Sequence, residues 1–215
     1  MIAKRFAATV SAMFAALFLL VVVVAYRIAS GFLGSADFHW LHNFAPVAAV
    51  ALCGAVYLPR RIAAALPILM LLISDIVLNV FHYHQPFFTF DILPRYVALA
   101  LISLLGFALR GRSTMPRLLV ASFVGSLLFF VITNTGSWLA EPGPGLAPIA
   151  YARTASGWLQ AMTTGLPGYP STWWFYRYTL LSDLFYTLLF AGCMAVQFKS
   201  EAGAQPHGAQ ELARS

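Results

Sequence analysis

Two aspartates stand inside long apolar stretches of this chain: Asp75, preceded by Ser74, and Asp183, preceded by Ser182. An ionisable group within a membrane-length apolar segment costs roughly 2.5–3.5 kcal/mol on insertion scales, and is retained where it faces a bundle interior, a water-filled cavity or a partner. Asn43, Arg95 and Asn134 add polar groups in or beside similar stretches. Such a set supports three kinds of chemistry. It can line a pocket for a small solute, it can pair internally and only fasten helices (Asp75 with Arg95, Asp183 with Arg177), or its two carboxylates can share a proton as an aspartyl dyad. The corresponding functions are a solute-binding or uptake subunit, a structural or assembly protein, and an intramembrane enzyme.

The elements that must carry these residues are apolar runs at 6–28, 43–58, 62–80, 92–109, 116–139 and 176–198. Most are near the 20 residues that cross a bilayer as a helix. The run at 43–58 is short, and Pro46 suits a first helical turn, where its missing N–H is not needed. The first run follows Lys4-Arg5 but is longer than the apolar core of a signal peptide, so a retained helix is expected, although Leu33-Gly34-Ser35-Ala36 weakly mimics a cleavage site. Residues 140–175 read as a loop rich in Gly, Pro and aromatics, and 199–215 as a polar disordered tail. The expected fold is all-α, a single polytopic bundle of about six transmembrane helices over residues 1–198.

Composition agrees. Hydrophobic residues make up 60% of the 215 residues and charged ones 9%, and the mean hydropathy is +0.79. A soluble domain carries roughly 25% charged residues, so the lipid bilayer is the expected surroundings. The net charge of +6 does not mark a nucleic-acid binder, because no basic patch is interleaved with aromatics on a polar face. Threaded with its N-terminus inside, the chain places Lys4, Arg5, Arg60, Arg61, Arg110, Arg112, Arg117, Lys199 and Arg214 on one side. Only Arg27, Arg95, Arg153 and Arg177 fall on the other. By the positive-inside rule both termini are expected to be cytoplasmic.

That orientation puts the polar residues at one depth. At 1.5 Å per residue, Asp75 lies about 7–8 Å and Asp183 about 10 Å from the outer ends of their helices, with Asn134 at a similar depth. Asn43 and Arg95 open their helices on the same side. An outward-facing pocket lined by Asn43, Asp75, Asn134 and Asp183 is the expectation, with Arg95 and Trp138 beside it. The outer loops are aromatic, as interfacial belts are, or as a lid over a ligand would be. His82-x-His84, with Asp91, His39 and His42 near in sequence, is a loose metal-ligand set without a fixing motif. Cys53 and Cys193 lie in apolar runs and form neither a disulfide framework nor a zinc motif.

No His-Glu-x-x-His, Gly-x-Ser-x-Gly or phosphate loop is present, so no catalytic activity and no cofactor are expected. Ala8, Ala12 and Ala16, spaced by four, form a small-residue stripe that permits close approach of another helix. It serves internal packing or docking on a partner membrane subunit.

Several segments carry a resemblance. Asn43-Phe44-Ala45-Pro46-Val47-Ala48-Ala49 running on to Gly54-Ala55-Val56-Tyr57 is one. Pro67 with Ser74-Asp75, Phe129 to Asn134 with Trp138, and Asp183-Leu184-Phe185-Tyr186-Thr187 are the others. Over roughly residues 43–195 the chain resembles an uncharacterised family of bacterial six-helix membrane proteins. That family is similar in architecture to the substrate-binding (S) components of energy-coupling-factor transporters. The resemblance implies a small-molecule ligand of unknown identity held on the outer side. It also implies docking through the first-helix alanines on a coupling membrane subunit served by ATPases. The early histidine of metal-transporting relatives is missing from Met1-Ile2-Ala3, which counts against nickel or cobalt.

Overall fold

The computed structural model describes residues 17, 18, 20–32, 46–82, 84, 92–140 and 151–203. Among them the chain is all-helical. α1 is Leu20–Phe32, α2 is Val47–Tyr57, and α3 is Arg60–Ile76, extended through a π-helical turn at Val77–His82. α4 is Ile92–Leu109, α5 Met115–Leu139, α6 Ala155–Met162 and α7 Thr172–Gly203. The expected ligand residue Asn43 and the alanine stripe Ala8, Ala12 and Ala16 lie outside the described residues.

Among the described residues four helices are long and apolar enough to cross a membrane: α3 with its π-helical extension, α4, α5 and α7. The segment expected as a short second span is α2, whose 11 residues extend only about 16 Å against a hydrocarbon core of roughly 30 Å. Its burial explains its shortness. Residues Val47 through Val56 are all buried, and α2 packs against α3, α4, α5 and α7 at once. As the hub of the bundle it meets side chains on every face, so it needs no lipid-facing length. The core around it joins Val23 of α1, Val50 and Leu52 of α2, Met70 and Leu71 of α3, Leu99 and Ile102 of α4 and Ala121 of α5.

The close fit of α4 to α2 depends on Gly106. A Cβ there would stand 2.5 Å from the Leu52 carbonyl oxygen and 2.7 Å from the Ala55 Cβ. Without a side chain at that point the two helices touch backbone to backbone, as small residues allow in membrane bundles.

The helices alternate in direction and define two ends. One end carries Arg60, Arg61, Arg110 and Arg112. The other gathers Trp138, Trp158, Trp173 and Trp174, and is called the aromatic end below. At the basic end, Arg110 does more than contribute charge. Its guanidinium donates to the Ala55 carbonyl from Nε at 3.0 Å and from Nη2 at 2.6 Å, and Nη2 also reaches the Leu58 carbonyl. The Ala55 carbonyl lies in the last turn of α2 and the Leu58 carbonyl just past its end, where helix carbonyls have no partner within their own helix. Burial first, and then the neighbouring Arg60, pull the Arg110 guanidinium below its usual pKa, but an arginine so basic stays charged.

Several expected boundaries move. Residues 140–175 were expected as loop throughout, yet Ala155–Met162 is helical. Thr154 starts it, accepting a hydrogen bond on its hydroxyl from the Gly157 N–H at 3.2 Å, the usual role of threonine at an N-cap. α7 begins at Thr172 rather than 176 and continues to Gly203, past the expected end at 198 and into the segment expected as a disordered tail. α1 runs to Phe32 rather than 28.

Candidate functional site

The polar residues singled out by sequence separate into three places. The first is an ion cluster at Asp75, which is buried and whose side chain is 3% exposed. Arg27 of α1 donates from Nη2 to Asp75 Oδ1 at 3.0 Å and from Nε to the Ser74 hydroxyl at 2.8 Å. Arg95 of α4 donates to the same Oδ1 at 3.4 Å. Ser74 in turn donates back to the Met70 carbonyl at 2.8 Å. Two guanidinium groups converge on one carboxylate and tie α1, α3 and α4 together. The π-helical turn follows at once, its first N–H shared between the Ile73 and Ser74 carbonyls. Asp75 and Arg95 are thus brought together, although neither lines a cavity with Asn134.

The second place is a cleft at the aromatic end between α5 and α7, with a volume of about 320 Å³. Phe129, Phe130, Thr133 and Asn134 of α5 face Thr172, Phe175, Tyr176 and Thr179 of α7. Thr133 and Thr179 donate their hydroxyl protons to the Phe129 and Phe175 carbonyls, at 2.7 and 3.3 Å. Asn134 donates to the Phe130 carbonyl at 2.8 Å. A hydroxyl that has given away its only proton offers lone pairs to a ligand, so the lining is biased toward accepting hydrogen bonds. Among the described residues no charged side chain lines it. Phe130, Trp173 and Tyr176 form an aromatic cluster around its wall, with centroids 4.6 Å (Phe130–Tyr176) and 5.4 Å (Trp173–Tyr176) apart.

Trp138 is one turn beyond the cleft and fastens its rim. Its indole N–H donates to the Ala152 carbonyl at 2.8 Å. Arg153 donates to the Trp138 and Ala140 carbonyls at the end of α5. The Trp158 indole donates to the Thr135 hydroxyl at 3.0 Å. The segment carrying α6 is therefore stapled across the end of α5 by tryptophans and an arginine. Arg177, weighed as a partner for Asp183, lies instead over the Trp174 ring at 4.0 Å.

The third place is the bundle core below the cleft, where Asp183 is 1% exposed. Asp183 shares a tight crevice with Ala48 and Leu52 of α2, Ile102 of α4 and Ser122, Gly125 and Ser126 of α5. One turn further along α7, Thr187 donates to the Ser122 hydroxyl at 3.0 Å, fully buried. Sequence reasoning missed Ser122 and Ser126, and named Thr187 only within the segment that carries the family resemblance. The signal is present, however. Ser122 and Ser126 are four apart, as are Asp183 and Thr187, so each pair shows one face of its helix. No hydrogen bond joins Asp75 to Asp183, so in this arrangement they do not share a proton as a dyad.

Of the weak metal candidates, His82 packs on the Phe32 ring at 4.5 Å and His84 is exposed, with a left-handed φ of 51°. Among the described residues no three His, Cys, Asp or Glu side chains gather to hold a metal ion. Asp91, His39 and His42 lie outside them. Cys53 is buried, Cys193 is exposed, and both are free thiols.

Long apolar helices around a buried hub, with ionisable groups turned inward, define a polytopic α-helical membrane protein. The chain belongs to a family of unknown function, DUF6580, whose model matches residues 7–205. No curated protein and no solved structure matches it.

Proposed function

We propose that this protein is a membrane-embedded solute-binding subunit that holds a small ligand in the cleft between α5 and α7. The observation that carries the reading is the lining of that cleft. Aromatic faces supply apolar contact, while Thr133, Asn134, Thr172 and Thr179 supply polar points without a formal charge. Convergent polar groups in a mostly apolar concavity are what small-molecule sites share. The ligand that fits is a small uncharged solute with an apolar or aromatic body and a hydrogen-bond-donating edge.

Orientation and energy complete the proposal. The basic residues favour placing both termini in the cytoplasm of a bacterial cell, which turns the cleft outward. The chain has no nucleotide-binding motif, so uptake would need a coupling membrane subunit with its ATPases. The resemblance to S components supports such a partner. A second reading, a structural or assembly protein, draws support from the ion cluster at Asp75, which joins three helices without lining the cleft.

Native mass spectrometry of the gently purified protein tests the choice. A co-purifying small molecule is expected with the wild type and is lost in Thr133→Trp, which fills the cleft. Absence of any bound small molecule from the wild type, across mild detergents and lipid nanodiscs, would favour the structural reading. A molecule still held at full occupancy by Thr133→Trp would place the ligand elsewhere.

A further inference from the structure

The two buried aspartates have opposite surroundings. Asp75 faces two guanidinium groups. Asp183 faces none. The crevice beside it is lined from α2, α4 and α5 by aliphatic side chains, Gly125 and the hydroxyls of Ser122 and Ser126. On its own helix the polar neighbours are Tyr176, Ser182 and Thr187. The titratable groups closest to this core are the Tyr176 phenol and the Cys53 thiol of α2, which is next to Thr187. Neither is a cation at neutral pH.

No hydrogen bond of full geometry reaches either Asp183 oxygen or the Ser126, Ser182 and Tyr176 hydroxyls, and the donors that approach the carboxyl are the Ser126 hydroxyl and the Ala49 backbone N–H. The crevice has no room for a water molecule, which also excludes a hydrated cation. A carboxylate in such a place, with no cation beside it and only a hydroxyl and one backbone N–H within reach, is costly to bury. A neutral carboxylic acid is not, since one donor and one acceptor can be met by small rotations of the adjacent hydroxyls.

We infer that Asp183 is a proton-binding site, carrying its proton in the dry core and exchanging it with the cleft by way of Tyr176. The route is short. Tyr176 forms part of the cleft wall, its phenol is buried beside Ser126, and Ser126 adjoins Asp183 in the crevice. One water admitted between Tyr176 and Ser126 would complete the chain of donors and acceptors. The exchange route ends at the cleft proposed as the ligand site, whereas the proton site itself does not rest on that reading.

Infrared spectroscopy in lipid nanodiscs at neutral pH reads it directly. A protonated carboxyl has a carbonyl stretch separate from that of a carboxylate, and the band moves in heavy water. The wild type and Asp75→Asn are expected to show this band, and Asp183→Asn to lack it. Its absence from the wild type, or its persistence in Asp183→Asn, would overturn the inference. If Asp183→Asn does not fold, Ser126→Ala serves instead: the band must shift when the neighbouring hydroxyl is removed, and an unmoved band counts against the site. Tyr176→Phe is expected to slow deuterium exchange of the band severalfold, and an unchanged rate would overturn the route through Tyr176. None of these readings requires a bound ligand, so they can fail independently of the solute-binding proposal.

Discussion

Arg27 and Asp75, 48 residues apart in sequence, are joined at 3.0 Å with side-chain exposures of 17% and 3%. Arg95 approaches the same carboxylate oxygen at the longer distance of 3.4 Å. Removing one member of a buried pair strands the remaining charge and costs roughly 3–5 kcal/mol. Asp75→Ala, which strands two guanidinium groups, is therefore expected to destabilise the bundle by about 3 kcal/mol or more. Arg27→Gln should cost more than Arg95→Gln, because the Arg27 contact is shorter and also engages Ser74. Denaturant unfolding in micelles, run as double-mutant cycles, measures the order. A larger coupling energy for Arg95–Asp75 than for Arg27–Asp75 would contradict the geometry.

The close approach of α4 to α2 gives a contrast between two glycines. A Cβ at Gly106 meets the Leu52 carbonyl and the Ala55 Cβ, neither of which is the free end of a flexible side chain. At Gly125 the nearest atoms are Ile102 side-chain carbons at 3.5 Å, an ordinary contact. Gly106→Ala should then cost about 1–3 kcal/mol, the usual range for overpacking. Gly125→Ala should be neutral or slightly stabilising, since alanine is the better helix former. Thermal unfolding of the two variants side by side settles it, and equal losses would mean that the helices do not touch as described.

Much of this fold was legible in the sequence, for a physical reason. Apolar runs of membrane length, punctuated by Pro59-Arg60-Arg61 and Arg110-Gly111-Arg112, leave little choice but helices. The hub role of α2 was not legible. Its run from Val47 to Tyr57 differs from a lipid-facing helix only in being short, and burial on all sides is a property of its neighbours. The α6 helix was hidden for a related reason: eight residues, half of them Ala, Gly or Ser, have little periodicity to show. For the candidate site, the sequence brought forward the residues with formal charges or amides. It did not reveal that Asp75 and Asp183 belong to separate clusters, because depth along a helix fixes one coordinate and the facing partner another. Ser122 and Ser126 escaped notice, and Thr187 was not weighed as a polar contact, because hydroxyls barely disturb an apolar run.

Arg110 tests whether a short buried helix needs an external cap. Its guanidinium serves the Ala55 and Leu58 carbonyls from one fork. A charge-assisted hydrogen bond typically contributes roughly 1.5–3 kcal/mol. Arg110→Ala is expected to lower stability by about 2 kcal/mol on that scale. Arg110→Lys should recover only part of it, because a single ammonium does not reproduce the planar fork. Hydrogen exchange localises the effect: the amides of α2 near Tyr57 should exchange faster, while those of α5 near Leu139 remain unchanged. If lysine restores full protection, the interaction is one of charge alone.

The hydrogen bond from Thr187 to Ser122 asks how much a buried hydroxyl pair contributes in a membrane bundle. Both residues are almost wholly buried, Thr187 at 0% and Ser122 at 2% exposure. Ser122→Ala removes the acceptor and leaves the Thr187 proton without its partner, whereas Thr187→Val removes the donor and keeps the volume. Interhelical hydrogen bonds of this kind average about 0.6 kcal/mol in double-mutant cycles, with a maximum near 1.7. Each single variant is therefore expected to cost about 1 kcal/mol. The double variant Ser122→Ala/Thr187→Val should cost less than the sum of the two, because removing both partners leaves no unsatisfied group. Strictly additive losses would show that the two hydroxyls are independent, and that α5 and α7 are held here by packing alone.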